Sequence, residues 1–368
     1  MNAAVKVLAS VRVAAVGDLQ LGDSPISVGF GLASRYRSRG LDAVFSALRP
    51  LLNDADFVFG NLECTLSTVG LESGSWRSAQ LRGEPDFARA LRRAGFTALN
   101  VANNHAVQHG VRAFHETLDL LADVGIECCG VRGAAPWCCK PVIWRTGDGY
   151  RVGLLGYCRR PRQYGPQEPP FAEGEPQDIV ADVQRLRGAV DCVVVSLHWG
   201  EEFVSQPSCT EVALAHAVIE AGASLILGHH PHVLRPFERY RQGLIAYSLG
   251  NCVADMVWWP EVRRGGVLRC TLDVSGVRSA EFAPTHIDAA YRPLPGPRRT
   301  EPNGLRPLDE HAYHRAIQRT VRLQRIAAYR YAALNVWRYP PRMLVQLAAA
   351  TVQNRLGALL GWLGGGDG

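Results

Sequence analysis

The 368-residue chain lacks any uninterrupted apolar run of about 18 residues, which excludes a membrane-spanning helix. It has no G-x-x-x-x-G-K-[ST] or G-x-S-x-G segment, so neither a P-loop nor a nucleophile elbow is present. Gly29 and Gly31 come without the third glycine and helix start of a dinucleotide-binding turn. Lysine is almost missing: of 40 basic residues, two (Lys6 and Lys140) are lysines, a bias read as codon usage rather than function. Ten cysteines occur, but the doublets Cys128-Cys129 and Cys138-Cys139 lack the C-x-x-C spacing that lets one turn offer zinc two thiolates. They flank strand-like runs and read as reduced packing cysteines.

What is present is a globular composition: 47% hydrophobic, 20% charged, with 37 Gly and 22 Pro. That excludes a disordered tail protein, a collagen-like fibre and a small disulfide-stapled domain. The length suits one large or two medium domains with a sizeable core. The net charge of +6 is uneven, because four acidic residues face twelve arginines after residue 290. A near-neutral body with a basic tail argues against a nucleic-acid partner.

The opening segment MNAAVKVLASVRVAAVGDLQ imitates a signal peptide, but Lys6 and Arg12 interrupt it and no positive stretch precedes it. It runs into a core strand, so the expected compartment is the cytoplasm. Apolar runs at Val11–Val16, Phe57–Phe59, Ala98–Val101, Val152–Gly156, Cys192–Leu197, Leu225–Leu227 and Leu244–Ser248 read as buried strands. Helix-like stretches alternate with them: Leu41–Asn53, Pro85–Ala94, Val111–Val124, Ile179–Gly188 and Glu211–Ala221, with Gly125 and Gly222 at the places of C-terminal caps. Such alternation implies an α/β fold with largely parallel strands. Pro161–Pro176 reads as a loop at the surface or at the rim of a site.

Six segments follow strand-like runs and each delivers Asp, Glu, Asn or His: Gly17-Asp18, Gly60-Asn61-Leu62-Glu63, Ala102-Asn103-Asn104-His105, Ser196 to Glu201, Gly228-His229-His230-Pro231-His232, and Tyr247 to Asn251. A lone Asp after a strand is ordinarily a turn or cap, and a lone buried His ordinarily a hydrogen-bonded core residue. His115 and His216 lie inside helices and take that bland reading. Six such segments converging on one sheet edge shift the balance toward an oxygen- and imidazole-rich metal site suited to Mn, Fe or Zn.

The ordered series GD…GNLE…ANNH…SLHWGEE…GHHPHV…YSLGN resembles the CapA family of poly-γ-glutamate capsule synthesis, within the calcineurin-like metallophosphoesterase superfamily, over roughly residues 10–256. The resemblance implies a four-layer αββα sandwich holding one or two divalent ions. It implies metal ligation by Asp18, Glu63 as the bridging acid, Asn104, His198, His230 and His232, with His229 an alternative to His230. It implies that His105 contacts the scissile group, stabilising charge or protonating the leaving oxygen. Asn251 shapes the floor, and with His229 and Arg235 it is assigned to substrate binding.

This sequence also departs from the resemblance. The superfamily's first-block Asp-x-His is here Asp18-Leu19-Gln20, so one imidazole is missing. The acid after the Asn-His pair is Gln108, and Thr65, Arg235, Cys252 and Ala254 stand where the family carries other residues, while Asp255 is kept. The implied function is a metal-dependent hydrolase acting on a phosphoester or related linkage through metal-activated water. The alternative is a component of poly-γ-glutamate or capsule polymer synthesis, or amide-bond chemistry, without phosphatase activity.

The expected organisation is a domain over 1–290, a Pro/Gly/Arg-rich linker over 291–308 and a basic amphipathic helical extension over 309–368. Within the extension, Asp309–Arg338 reads as one long helix broken at Pro340-Pro341, and Met343–Leu363 as a second, apolar one. Its arginines, with leucines, Trp337 and Trp362, fit either peripheral membrane contact or an arm packed on the body or on a second subunit. The arm is favoured, because amphipathic helices are common on soluble proteins.

Overall fold

Two β-sheets stack face to face in the computed structural model, which describes residues 10–161, 163–296, 304–346 and 348–349. In the first sheet Ser10–Leu19, Phe57–Leu62, Ala98–Asn100 and Glu127–Cys129 run parallel, continued beyond Ser10–Leu19 by the antiparallel strands Arg264–Asp273, Gly276–Ile287 and Pro293–Pro295. In the second sheet Arg151–Cys158, Cys192–His198, Leu225–His229 and Gly243–Ala246 run parallel, between antiparallel edges Val142–Arg145 and Phe237–Tyr240.

Side-chain alternation assigns the layers. Leu225 and Leu227 point into the core between the sheets, where they meet Val13, Phe57, Phe59, Leu154 and Val194. Ile226, between them in sequence, points the other way and packs with Val218 and Ile219 of the helix Cys209–Ala221 and with Ile179 and Val183 of the helix Pro176–Leu186. The outer face of the first sheet is covered by the helices Phe87–Ala94 and Val111–Asp123, through Phe87, Leu91, Phe114 and Leu121. The result is the four-layer αββα sandwich that the resemblance implied. Truncating a residue such as Leu227 to alanine would cost about 2–5 kcal/mol, because it is fully buried with neighbours on all sides.

Two expectations are corrected, and a hairpin is added to the expected strands. The stretch Leu41–Asn53 is not one helix but a 3-10 turn over Leu41–Val44 and a single α-turn over Arg49–Leu52. Pro50 has no N–H to bond back to the preceding turn, so a helix restarts at it and does not run through it. The hairpin Arg264–Asp273 and Gly276–Ile287 escaped the search for apolar runs because it is covered unevenly and alternates apolar with polar residues. Finally, Pro293–Pro295, inside the stretch read as linker, pairs with Gly276–Ile287 as an edge strand.

The C-terminal helix spans Glu310–Leu334, capped by Asp309, and a 3-10 turn follows over Val336–Arg338. Its inner face lies on the body. Trp258 Nε1 donates to Gln324 Oε1 at 2.8 Å, and the Tyr313 hydroxyl accepts from the Glu201 backbone N–H at 2.9 Å. Residues 341–346 are helical, and the greater part of the expected helix Met343–Leu363 lies outside the described residues.

Candidate metal centre

Strand ends build the site. Asp18 is next to last in Ser10–Leu19 and lies in register with Asn61 on one side and Asn251 on the other. His198 closes Cys192–His198 opposite His229, the last residue of its own strand. Glu63 directly follows Phe57–Leu62, and Asn103, Asn104 and His105 form the turn after Ala98–Asn100. Gly17 is required here: a Cβ on it would sit 1.9 Å from the Gly250 carbonyl oxygen, so no other residue allows the Leu249–Gly250 segment this close. The turn His229 to His232 is held under strain, with φ of 92° at His230 and 57° at His232, where side-chain-bearing residues rarely go.

The converging side chains are buried, none more than 3% exposed: Asp18, Glu63, Asn104, His198, His229, His230 and His232. Glu63 Oε1 lies 3.6 Å from His198 Nε2, 3.9 Å from His230 Nδ1 and 3.6 Å from His232 Nε2. Asp18 Oδ2 lies 3.3 Å from His232 Nδ1, and His198 Nε2 lies 2.7 Å from Asn104 Oδ1. Two groups with donor atoms within 4.8 Å of one another result, Glu63–His198–His230 and Asp18–Glu63–His232, and Glu63 belongs to both. A third, Glu202–His230–His232, adds a carboxylate at the mouth.

Hydrogen bonds among the side chains hold the frame of this cluster but do not reach its central atoms. Asn61 Nδ2 donates to Asp18 Oδ1 at 2.8 Å, and the His230 backbone N–H donates to Asp18 Oδ2 at 3.1 Å. Asn100 Nδ2 donates to Asn61 Oδ1, and Asn103 Nδ2 to the Leu62 carbonyl, so the two asparagine turns tie adjacent strand ends together. Both carboxylate oxygens of Glu63 and both ring nitrogens of His230 have no hydrogen-bond partner although buried. Burying such groups without partners costs several kcal/mol, so native folds rarely keep them.

The electrostatics of this donor set suit a cation. Burial raises Glu63 well above the ordinary carboxylate range, with His232 opposing and Asp18 and Glu202 reinforcing the rise. Burial alone would raise Asp18 too, but the imidazoles of His229 and His232 beside it hold it well below that range. Burial pulls His232 down, yet Glu63 and Asp18 outweigh it and push its imidazole up to about 10. His198 and His230 are held well below the usual imidazole range by burial, hence neutral with lone pairs to offer. The proton on His232 thus stands where the carboxylates call for positive charge. The orphaned atoms, the two carboxylates and the neutral imidazoles make a donor set that a divalent metal ion satisfies.

Of the residues singled out from sequence, Asp18, Glu63, Asn104, His198, His230 and His232 come together. His230 is the member of the histidine pair in the donor groups, whereas His229 lies behind Asp18, its Nδ1 3.3 Å from Asp18 Oδ1. Asn251 supports His232, whose Nδ1 lies 3.0 Å from Asn251 Oδ1, and donates to the Val262 carbonyl. His105 stands at the rim, half-buried, with Gln108 Oε1 2.8 Å from its Nδ1 and Tyr164 of the Pro161–Pro176 loop 6.1 Å away ring to ring. Burial holds His105 down to about 4. Arg235 is a correction: it is fully buried away from the cluster, donating to Glu211 at 2.6 Å, to the Val204 and Glu201 carbonyls and to the Tyr313 hydroxyl. Its guanidinium is a structural brace and not a contact for substrate. Glu202, directly after the Ser196 to Glu201 segment, carried no expected role, and Gln20 was expected only to mark a missing imidazole.

The family model described as Bacterial capsule synthesis protein PGA_cap matches residues 12–256. The Capsule biosynthesis protein CapA of Bacillus anthracis is 31% identical over 281 residues, covering 74% of this chain and 66% of that protein. The PGA biosynthesis protein CapA of Bacillus subtilis is 28% identical over 278 residues, covering 75% of this chain and 71% of that protein. The chain thus spans about two thirds of the length of these relatives. A solved 5′-nucleotidase of Candida albicans is similar at 11% identity and a TM-score of 0.44, over 87% of this chain and 58% of that one.

Proposed function

Because the chain belongs to the PGA_cap family of bacterial capsule synthesis proteins, we propose that it serves capsule or poly-γ-glutamate synthesis as a metal-dependent hydrolase of a phosphoester or related linkage. One observation carries the reading: Glu63, buried and shared by two donor groups, has two carboxylate oxygens without a protein partner. The ions proposed are one or two of Mn, Fe or Zn, held by Asp18, Glu63 and His232 and by Glu63, Asn104, His198 and His230. A divalent ion bound there supplies Lewis acidity and a water acidic enough to attack near neutral pH.

The chain's own residues supply the rest. Asn61 and the His230 N–H fix Asp18, Asn251 fixes His232, and Asn103 fixes the turn that presents Asn104 and His105. Gln108 brings no charge to support an imidazolium, and burial keeps His105 neutral above about pH 4. His105 therefore orients the scissile group by hydrogen bonding, without arriving as a proton donor. Tyr164 stands beside His105, 6.1 Å ring to ring.

The alternative, a component of polymer synthesis or amide-bond chemistry without phosphatase activity, accords with the relatives' names as capsule and PGA biosynthesis proteins. Elemental analysis of protein purified without chelator, beside His198→Ala, followed by a phosphoester screen, separates the two. Metal lost in the variant together with turnover supports the hydrolase. Bound metal without turnover of any phosphoester favours the alternative.

The proposed partners are a small-molecule or polymer substrate and, through the C-terminal helix, an anionic membrane surface on the cytoplasmic side. Residues 311–346 contain seven arginines and no acidic residue. Ile326, Tyr329 and Leu334 are exposed beside them, and Trp337 is 80% exposed. That combination supports peripheral contact. Among the described residues no helix is long and apolar enough to cross a membrane.

A further inference from the structure

The two donor groups that share Glu63 are not chemically equal. One has two imidazoles, from His198 and His230, with the Asn104 carboxamide beside them. The other has a single imidazole, His232, and two carboxylates, Asp18 and Glu63. Gln20 lies two residues beyond Asp18, so strand alternation brings it to the same side, and its backbone N–H is pinned to the Val253 carbonyl at 2.8 Å. Its side chain is 3% exposed and stands close enough to Glu63 to favour the charged carboxylate. Gln20 Oε1 is buried with no partner, as are the Glu63 oxygens and the His230 nitrogens. A carboxamide chosen merely to fill space would leave that oxygen unpaired at a cost, whereas Leu or Met would fill the same volume without it.

We infer that Gln20 Oε1 is a fourth protein ligand for the Asp18–Glu63–His232 position, making it an oxygen-rich site unequal to its imidazole-rich neighbour. The inference rests on the reading of this cluster as a metal centre. Three oxygens and one nitrogen suit harder ions, so this position holds Zn2+ more loosely than its neighbour and discriminates less against Mn2+. Glu63, common to both, couples them.

The test is metal titration of the chelator-stripped full chain with Zn2+ and separately with Mn2+, read by calorimetry and by elemental analysis after dialysis. Wild type is expected to show two Zn2+ steps separated by about tenfold or more. Gln20→Leu should weaken the looser step by about tenfold or more and spare the tighter one. Gln20→His and Gln20→Glu, which restore a ligand atom, should tighten it. If Gln20 only orients Glu63 through its N–H, Gln20→Glu places a second carboxylate against it and weakens both steps, which overturns the inference. Equal wild-type steps, or a Gln20→Leu variant with both steps unchanged, overturn it as well. Should Gln20→Leu fail to fold, the direction of the change in Gln20→His decides. A wild-type chain that takes up no metal refutes the metal-centre reading beneath, a distinguishable failure.

Discussion

The strand-end cluster and the C-terminal helix both gather ionisable side chains, but under opposite conditions. At the cluster, carboxylates and imidazoles are buried with orphaned atoms; along the helix, Arg315, Arg319, Arg322 and Arg325 are exposed. Keeping an arginine solvated costs almost nothing, while keeping a carboxylate buried and unpaired costs several kcal/mol. The difference teaches where function can be read. An energetically costly arrangement needs a ligand to explain it, and an arrangement without cost does not. The two regions do meet at one place, where Tyr313 of the helix accepts from Arg235 and from the backbone of the loop carrying Glu202.

The largest effect that would break this contrast is expected at Glu63. Glu63→Gln should empty both metal positions and lower phosphoester turnover by about 10³-fold or more; full metal content in that variant would mean the orphaned oxygens serve no ion. His105→Ala should keep the metal content intact and, as the loss of one oriented hydrogen bond to the scissile group, cost about 10²–10³ in turnover, which paired metal analysis and kinetics would check. Arg235→Met leaves Glu211 nearly buried without its partner, and denaturant unfolding should register a loss of about 3–5 kcal/mol with metal retained. Loss of metal there would show that the brace and the cluster are not separate.

Smaller effects sharpen the contrast. His105 and His109 are both held down to about 4 by burial, against 6.5 when unfolded. The stability they contribute is complete above pH 6.5 and is lost as the pH falls toward 4, because the unfolded chain then binds more protons. Melting scans of metal-free protein should show the midpoint falling across that window, with a shallower fall in His109→Gln. The smallest effect belongs to the helix. Trp337→Ala should change stability by less than about 0.5 kcal/mol and leave metal content alone, while lowering co-sedimentation with phosphatidylglycerol vesicles. Unchanged sedimentation would remove the membrane from the proposal.

Much of the cluster was legible because of how such sheets are built. A short apolar run ending in Asp, Asn or His announces a strand whose last residue emerges at the sheet edge, as Asp18 and His198 do. What could not be read was pairing across distance. Nothing local to Arg235 says that Glu211, 24 residues away, takes its guanidinium, so an arginine beside a metal motif looked like a substrate contact. Nor does the chain around Gln20 announce that its oxygen will be left without a partner. The broken helix at Leu41–Asn53 was readable in principle from Pro50, but the apolar spacing around it outweighed the proline.

The turn that carries His230 and His232 has one more implication. Two side-chain-bearing residues at positive φ oppose folding by roughly 1–3 kcal/mol each, and His230 adds an imidazole that no protein group satisfies. Stability and chemistry therefore pull in opposite directions within three residues. Glycine at either place would relieve the strain, so histidine at both lowers the stability of the fold by whatever the turn costs.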